Sequence, residues 1–229
     1  MKAVILAAGV GKRMLPLTRD IPKPLLRIGN QTILDYIFDA LPEGVDTVIM
    51  VVGYLENRIK MYLGAKYQGK NIRYIHQEEL SGTATALLTT KELFEKDERF
   101  MIIYGDELPT KQEIQDCLNR EYSWLCCKSS NPKESGIVHI DDCGRILMVV
   151  EKPENPSSDM GVAGIMVVNS LIFNYIPVRH SNGEYYLTSL MNDFLKNKDV
   201  YAVYGRQRPP FLSPDEIEKI DPITFEFIS

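Results

Sequence analysis

The chain is poor in the residues from which self-contained catalytic and metal centres are usually built. Its 229 residues include four cysteines, Cys117, Cys126, Cys127 and Cys143, with no Cys-x-x-Cys pair and no histidine pattern beside them. The common zinc spacings are therefore excluded, and four reduced, mostly buried thiols are expected. The three histidines, His76, His139 and His180, fall in strand-like or loop segments without a nucleophile at suggestive spacing, so each reads as structural. No lysine and arginine run of useful length occurs and the formal net charge is −5, which excludes holding nucleic acid by bulk electrostatics. No apolar run approaches the roughly 18 residues that span a bilayer. The N-terminus enters a strand-like run without the charged-then-apolar layout of a signal peptide, so no membrane partner and a cytoplasmic location are expected. Repeats, low-complexity tracts and a hexapeptide β-helix are also missing.

What is present suits a compact α/β protein: 45% hydrophobic and 25% charged residues, enough chain for one large domain. Ala3–Leu6, Thr47–Val52, Ile72–His76 and Phe100–Tyr104 read as strands, with helical stretches Thr32–Leu41, Leu55–Lys66 and Thr83–Phe94 between them. Such alternation predicts a doubly wound, mostly parallel sheet, whose ligands bind outside the carboxyl ends of the strands. The second half changes character. Trp124–Lys128, Gly136–Ile140 and Ile146–Val150 are short strand-like runs divided by turn residues, which predicts a small antiparallel subregion. Gly161–Val168 then reads as a buried strand, Tyr186–Lys196 as an amphipathic helix, Val200–Tyr204 as a last strand and Ser213–Ile220 as a capped terminal helix.

The first strand runs into a glycine turn, Leu6-Ala7-Ala8-Gly9-Val10-Gly11-Lys12-Arg13. Gly9 and Gly11 allow positive φ and a close approach to polyphosphate, and successive N–H groups in such a turn form an anion-binding concavity. Lys12 and Arg13 add charge. A dinucleotide fingerprint would need a small residue at Met14 and a Walker A loop would need Gly-Lys-Ser/Thr, so neither common phosphate loop fits. In Pro22-Lys23-Pro24 each proline locks its own φ and biases the residue before it, holding one ammonium rigidly or merely punctuating a loop. Asp106 follows the apolar run Met101–Tyr104 and Gly105. A carboxylate there could take Mg²⁺, which usually accepts one or two protein carboxylates and completes its shell with phosphates and water, or could form a turn or cap.

The pattern Leu6-Ala7-Ala8-Gly9-x-Gly11-x-Arg13-Met14-x-Pro16-Leu17-Thr18, followed by Pro22-Lys23-Pro24-Leu25, resembles the signature of the sugar-1-phosphate nucleotidyltransferases, the nucleoside-diphosphate-sugar pyrophosphorylases. The likeness continues to about Gly205. It implies a Rossmann-like nucleotidyltransferase fold in one domain over 1–229, with a nucleotide-binding half over 1–120, a sugar-phosphate-binding half over 121–205 and a divergent segment over 206–229. The substrates implied are a nucleoside triphosphate, dTTP or UTP favoured, and a sugar-1-phosphate, with Mg²⁺ as cofactor. Oligomeric state leaves no short motif, and a homo-oligomer stays open.

By the same resemblance, Leu6, Ala8, Gly9, Gly11, Gln77, Gly82 and Thr83 bind the nucleotide. The Gln77 amide can both donate to and accept from a pyrimidine edge. Ser81 reads as the cap of a helix starting near Thr83. Glu151-Lys152-Pro153 is similar to the family's Glu-Lys-Pro, whose acid takes sugar hydroxyls and whose lysine takes the sugar's phosphate. Gly136, Gly164 and Glu184 complete the sugar side. Arg13, Lys23, Asp106 and Lys152 are the expected catalytic set, with Asp106 the metal ligand.

The sequence departs from the family after the last strand. Where a Trp-x-Asp-x-Gly-Thr-Pro segment completes the metal site, this chain has Arg208-Pro209-Pro210-Phe211-Leu212-Ser213-Pro214-Asp215, with Pro210 at the acid. Mg²⁺ held by Asp106, phosphates and water alone, a substitute acid such as Asp193 or Asp215, and a nucleotide-binding protein without turnover are the three explanations. Transfer to a non-sugar phosphate such as phosphocholine, or guanylyl transfer to a pterin cofactor, is the alternative among enzymes.

Overall fold

A computed structural model describes residues 1–207, 213–217 and 220. Its strands are β1 Lys2–Ala7, β2 Arg27–Ile28, β3 Gln31–Thr32, β4 Thr47–Val52, β5 Lys66–Tyr67, β6 Lys70–His76, β7 Arg99–Tyr104, β8 Ser123–Lys128, β9 Gly136–Ile140, β10 Ile146–Glu151, β11 Met160–Asn169 and β12 Tyr201–Tyr204. The α-helices are α1 Ile33–Ala40, α2 Glu56–Leu63, α3 Thr83–Leu88, α4 Lys111–Leu118, α5 Leu187–Leu195 and the short α6 Pro214–Ile217.

One sheet runs in the order β10-β9-β11-β7-β1-β4-β6-β5, with β8 on β11 and β12 on β8. Its centre, β7-β1-β4-β6, is parallel. β1 is flanked by β4, reached first in sequence, and by β7, reached only after the chain has laid down β6. The strand order therefore reverses between β1 and β7, the place where an open α/β sheet leaves a crevice. Alternation along β1 sends Ala3, Ile5 and Ala7 to one face and Val4 and Leu6 to the other. The first face is covered by α1, α2 and α4 through Ile37, Ile59 and Ile114, and the second by α3 and α5 through Leu87 and Phe194. Burying both faces makes β1 and β4 apolar almost throughout.

The second-half strands pair antiparallel as β10 with β9 and β11 with β9, β8 and β7. They do not form a separate sheet. β11 pairs with β9 near its start and with β7 from Ile165 to Asn169, welding the antiparallel part to the parallel centre. Its register on β8 shifts between Val162 and Met166, where Trp124 Nε1 donates to Ala163 O at 2.8 Å.

Several boundaries differ from expectation. Leu55 has φ +50 and precedes α2, and Gly64 at φ +63 ends it, so Lys66 lies in β5 rather than in a helix. The stretch expected as one helix to Phe94 stops at Leu88. There Thr89 and Thr90 hydroxyls donate back to Ala86 O and Leu87 O, and a separate turn spans Lys91–Leu93. Helix α4 was not anticipated, although Thr110 and Glu113 form a reciprocal capping box at its start. Of the expected Ser213–Ile220 helix, Pro214–Ile217 is helical. Three cysteines are buried and Cys143 is exposed. Among the described residues no helix is long and apolar enough to cross a membrane.

Candidate active site

At the β1/β7 reversal the chain opens a cavity of about 610 Å³. The loop after β1 forms one wall with Gly9, Gly11 and Arg13, and Lys23 enters beside it. Of the two glycines only Gly11 takes positive φ, at +66, which corrects the expectation for Gly9. A Cβ on Gly9 would meet no heavy atom within 4 Å, so packing does not require a glycine there. Leu6 O accepts from Gly105 N–H at 2.9 Å and Ala8 O from Tyr54 N–H at 3.0 Å, which ties the end of β1 and its loop to the segments after β7 and β4.

Asp106 follows β7 directly across from this loop. Its Oδ2 accepts from Lys23 Nζ at 2.6 Å. Burial alone would raise this carboxyl, but the adjacent ammonium, with Arg13 farther off, holds it below the ordinary carboxylate range. Asp106 is thus an anion fixed at the carboxyl end of β7. Among the described residues no cluster of three or more His, Cys, Asp and Glu side chains is placed to hold a metal alone. A carboxylate at the strand end beside Arg13 and Lys23, in a cavity that Glu107, Glu134, Glu151 and Glu184 also line, fits Mg²⁺ of the kind that shares its shell with substrate phosphates. Asp193, one suggested substitute, pairs with Lys196 at 2.6 Å and does not line the cavity. Pro210 lies outside the described residues.

Gln77 closes the next wall, buried and tied to β4 by its N–H to Val52 O at 2.8 Å. Its amide nitrogen donates to Gly82 O at 3.2 Å and Thr85 Oγ1 at 3.1 Å. The amide hydrogens are thus engaged inside the protein, which corrects the expectation that this amide also donates to a base edge. The α3 cap is Gly82, at φ +130, and not Ser81, whose hydroxyl bonds Thr85 Oγ1 at 3.0 Å instead. The reason is long-range: Tyr185 N–H donates to Ser81 O, Ala84 N–H to Tyr185 O and Leu187 N–H to Thr83 Oγ1, at 2.8 to 2.9 Å. A Cβ at Gly82 would fall into the Tyr185 backbone.

The opposite wall comes from β9, β10, β11 and the start of α5. Glu151 ends β10 and accepts from the Thr188 hydroxyl; burial raises its carboxyl above the usual range. Lys152 has φ +44, a left-handed conformation that costs a non-glycine residue energy and marks a constrained site. Its N–H donates to Ser135 O at 3.0 Å and its Nζ to the Tyr186 hydroxyl oxygen at 3.0 Å. Burial would lower the Lys152 ammonium, and Tyr186 and Glu134 more than offset this, leaving it raised. Gly136 lines the floor, where a Cβ would press on Val162, Val149 and Glu151 Oε2. Gly164 also lines the cavity, but its N–H is taken by Glu107 Oε1 at 2.6 Å and a Cβ would fall on the Tyr104 ring, so packing accounts for it. Glu184 is exposed at the rim.

Every residue that the resemblance assigns to the nucleotide, the sugar phosphate or the catalytic set therefore lines one cavity. Sequence reasoning missed Glu134, Tyr186, Thr188 and Glu107, which hold the others. Tyr186 and Thr188 follow closely on Glu184, which was a signal; Glu134 resembled any solvated charge.

A sheet with helices on both faces and a ligand cavity at its reversal point places the molecule in the doubly wound α/β class. More narrowly, the chain belongs to the nucleotidyl transferase family, whose model matches residues 2–207. It is 31% identical over 212 residues to UTP--glucose-1-phosphate uridylyltransferase AglF of Haloferax volcanii, covering 86% of this chain and 84% of that one. It is 33% identical over 205 residues to bifunctional protein GlmU of Methanocaldococcus jannaschii, covering 89% of this chain. The chain spans about half, 49%, of the length of that GlmU. Among solved structures, a putative glucose-1-phosphate thymidylyltransferase from Bacillus anthracis, complexed with a sucrose, superposes with a TM-score of 0.77 at 26% identity, covering 91% of this chain and 87% of that one. UDP-glucose pyrophosphorylase complexed with UDP-glucose shares the fold with a TM-score of 0.80 at 23% identity, covering 90% and 91%. The resemblance to sugar-1-phosphate nucleotidyltransferases is borne out.

Proposed function

We propose that this chain transfers a nucleotidyl group from a nucleoside triphosphate to a sugar-1-phosphate, giving a nucleotide-sugar and pyrophosphate. The observation that carries this reading is the single cavity lined by Arg13 and Lys23 on one wall and by Glu151 and Lys152 on the other. An oxygen of the sugar phosphate attacks the α-phosphorus, and the bond from that phosphorus to the pyrophosphate bridging oxygen breaks. Such transfer needs positioning and charge neutralisation rather than a protein nucleophile. Arg13 and Lys23 neutralise the triphosphate and the departing pyrophosphate. Lys152, fixed by Tyr186, orients the attacking phosphate, and Glu151 accepts from sugar hydroxyls. Asp106 would hold Mg²⁺, which when bound supplies further neutralisation of phosphate charge. The Gln77 amide oxygen is left to accept from a base N–H such as N3–H of uracil or thymine, and UTP or dTTP are the proposed triphosphates. These substrates make the cytoplasm the proposed place of action.

The test is a pyrophosphate-release screen of nucleoside triphosphates against sugar-1-phosphates with Mg²⁺, run beside Asp106→Ala. Release from at least one pair, lost in the variant, is expected. Saturable nucleotide binding with no release from any pair overturns transfer and makes the protein a nucleotide sensor.

A further inference from the structure

Glu134 carries an anion into the middle of the proposed phosphate site. Its Oε2 lies 3.6 Å from Arg13 Nη2 and 3.6 Å from Lys152 Nζ. One carboxylate oxygen thus faces two cations that arrive from opposite halves of the chain, Arg13 from the loop after β1 and Lys152 from the end of β10. Both separations exceed the roughly 2.7–2.9 Å of a strong charge-assisted hydrogen bond, so the contacts are loose ion pairs.

The backbone beneath Glu134 is fixed. Its N–H donates to Asn131 O at 3.1 Å, and Ser135 Oγ joins Ser129 Oγ at 2.7 Å and Asn131 O at 3.1 Å. Ser135 O in turn takes the Lys152 N–H, so one anchor places both the lysine and the acid. The side chains differ in freedom. That of Lys152 is 16% exposed and bonded to Tyr186, whereas that of Glu134 is 45% exposed and can swing to solvent.

We infer that Glu134 is an affinity-setting residue: its carboxylate oxygen stands where a substrate phosphate oxygen is shared between Arg13 and Lys152, and competes with the substrate for both cations. This rests on the reading of those two cations given above. The competitor acts on any phosphate reaching the junction, including pyrophosphate as it leaves. It weakens ground-state binding and so favours release over retention.

Calorimetric titration of the full chain with inorganic pyrophosphate tests this, comparing wild type with Glu134→Gln, Glu134→Ala and Glu134→Asp. Both neutral variants are expected to bind pyrophosphate about three- to tenfold more tightly, the range for losing two partly exposed ion pairs. Glu134→Asp is expected to stay near wild type. Unchanged or weaker binding by both neutral variants overturns the inference and makes Glu134 a support for Arg13 and Lys152. In turnover, the KM for sugar-1-phosphate should fall in Glu134→Gln without a matching rise in kcat, a split that a structural role would not produce. The two readings fail separately. Tighter pyrophosphate binding by the variants with no transfer by wild type sinks only the transfer reading; transfer by wild type with no tighter binding sinks only this one.

Discussion

Lys23 and Asp106, 83 positions apart, meet through a 2.6 Å contact between ammonium and carboxylate across the crevice between β1 and β7. The contact joins the proline-braced loop to the carboxyl end of a central strand. It also sets a test that separates chemistry from folding. Lys23 is 13% exposed and offsets the charge of Asp106, so Lys23→Ala should lower the melting temperature by several degrees while the protein still unfolds in one cooperative transition. Pyrophosphate release should fall by about 10²- to 10³-fold, the usual cost of removing one preorganised electrostatic group. Unchanged turnover would remove Lys23 from the mechanism.

Gly82 and Gly9 line the same cavity for different reasons, which their alanine variants should reveal. At Gly82 the φ of +130 and the adjacent Tyr185 backbone leave no room for a Cβ. Gly82→Ala is expected to lose about 2–4 kcal/mol in a denaturant titration. At Gly9 a Cβ meets nothing within 4 Å. Gly9→Ala should therefore stay within about 0.5 kcal/mol of wild type while its KM for the triphosphate rises about tenfold. A folded Gly9→Ala protein with unaltered KM would show that the backbone there does not approach phosphate.

How much of this was legible beforehand depended on whether the signal was local. The parallel centre was readable because β1, β4 and β7 are buried on both faces and therefore apolar almost throughout, and the residues proposed for the chemistry, Arg13 and Asp106, stand in the loops after β1 and β7. The Gly82 cap was not readable: its first-turn partner is the Tyr185 carbonyl, about a hundred residues away, and Ser81 carried the stronger local signal. Helix α4 hid because only Ile114, Cys117 and Leu118 are apolar in Lys111–Leu118, too few for a face, although Thr110 and Glu113 spelled out its cap. Glu134 was invisible for a third reason. A single acid in a turn says nothing until β9 and β10 bring Lys152 alongside.

Asp35 offers a stability prediction with a definite sign. It is buried in the first turn of α1, where it accepts from Thr32 N–H at 2.7 Å, from the Tyr62 hydroxyl at 2.8 Å and from the Tyr67 hydroxyl. Burial would raise its carboxyl, but these donors, Tyr67 foremost, bring it below the usual 3.8. A lowered folded-state value means that its stabilisation is present above 3.8 and is lost as pH falls through the lower value. Asp35→Asn puts an amide donor among donors and should cost about 1–3 kcal/mol near neutral pH. The gap between wild type and variant, read from urea midpoints, should narrow on acidification below 3.8. A gap independent of pH would mean that the charge on Asp35 is not what the three donors stabilise.

The Tyr186 hydroxyl oxygen accepts from Lys152 Nζ at 3.0 Å and from Asn182 Nδ2 at 2.7 Å, while the Tyr186 ring lies 5.0 Å from the same ammonium. Both bonds end on the one atom that Tyr186→Phe removes, and the ring that fills the wall remains. Lys152 would keep its left-handed backbone, which Ser135 O holds, but lose the contact that aims its side chain. The loss should therefore fall on the sugar phosphate and spare the nucleotide: KM for sugar-1-phosphate is expected to rise about tenfold while KM for the triphosphate stays within about twofold. Equal increases for both substrates would point to a general disturbance of the cavity, and no increase in either would show that Lys152 needs no such aim. Tyr186→Phe together with Lys152→Ala should be no worse than Lys152→Ala alone, because a tyrosine that acts only by orienting the lysine has nothing left to orient.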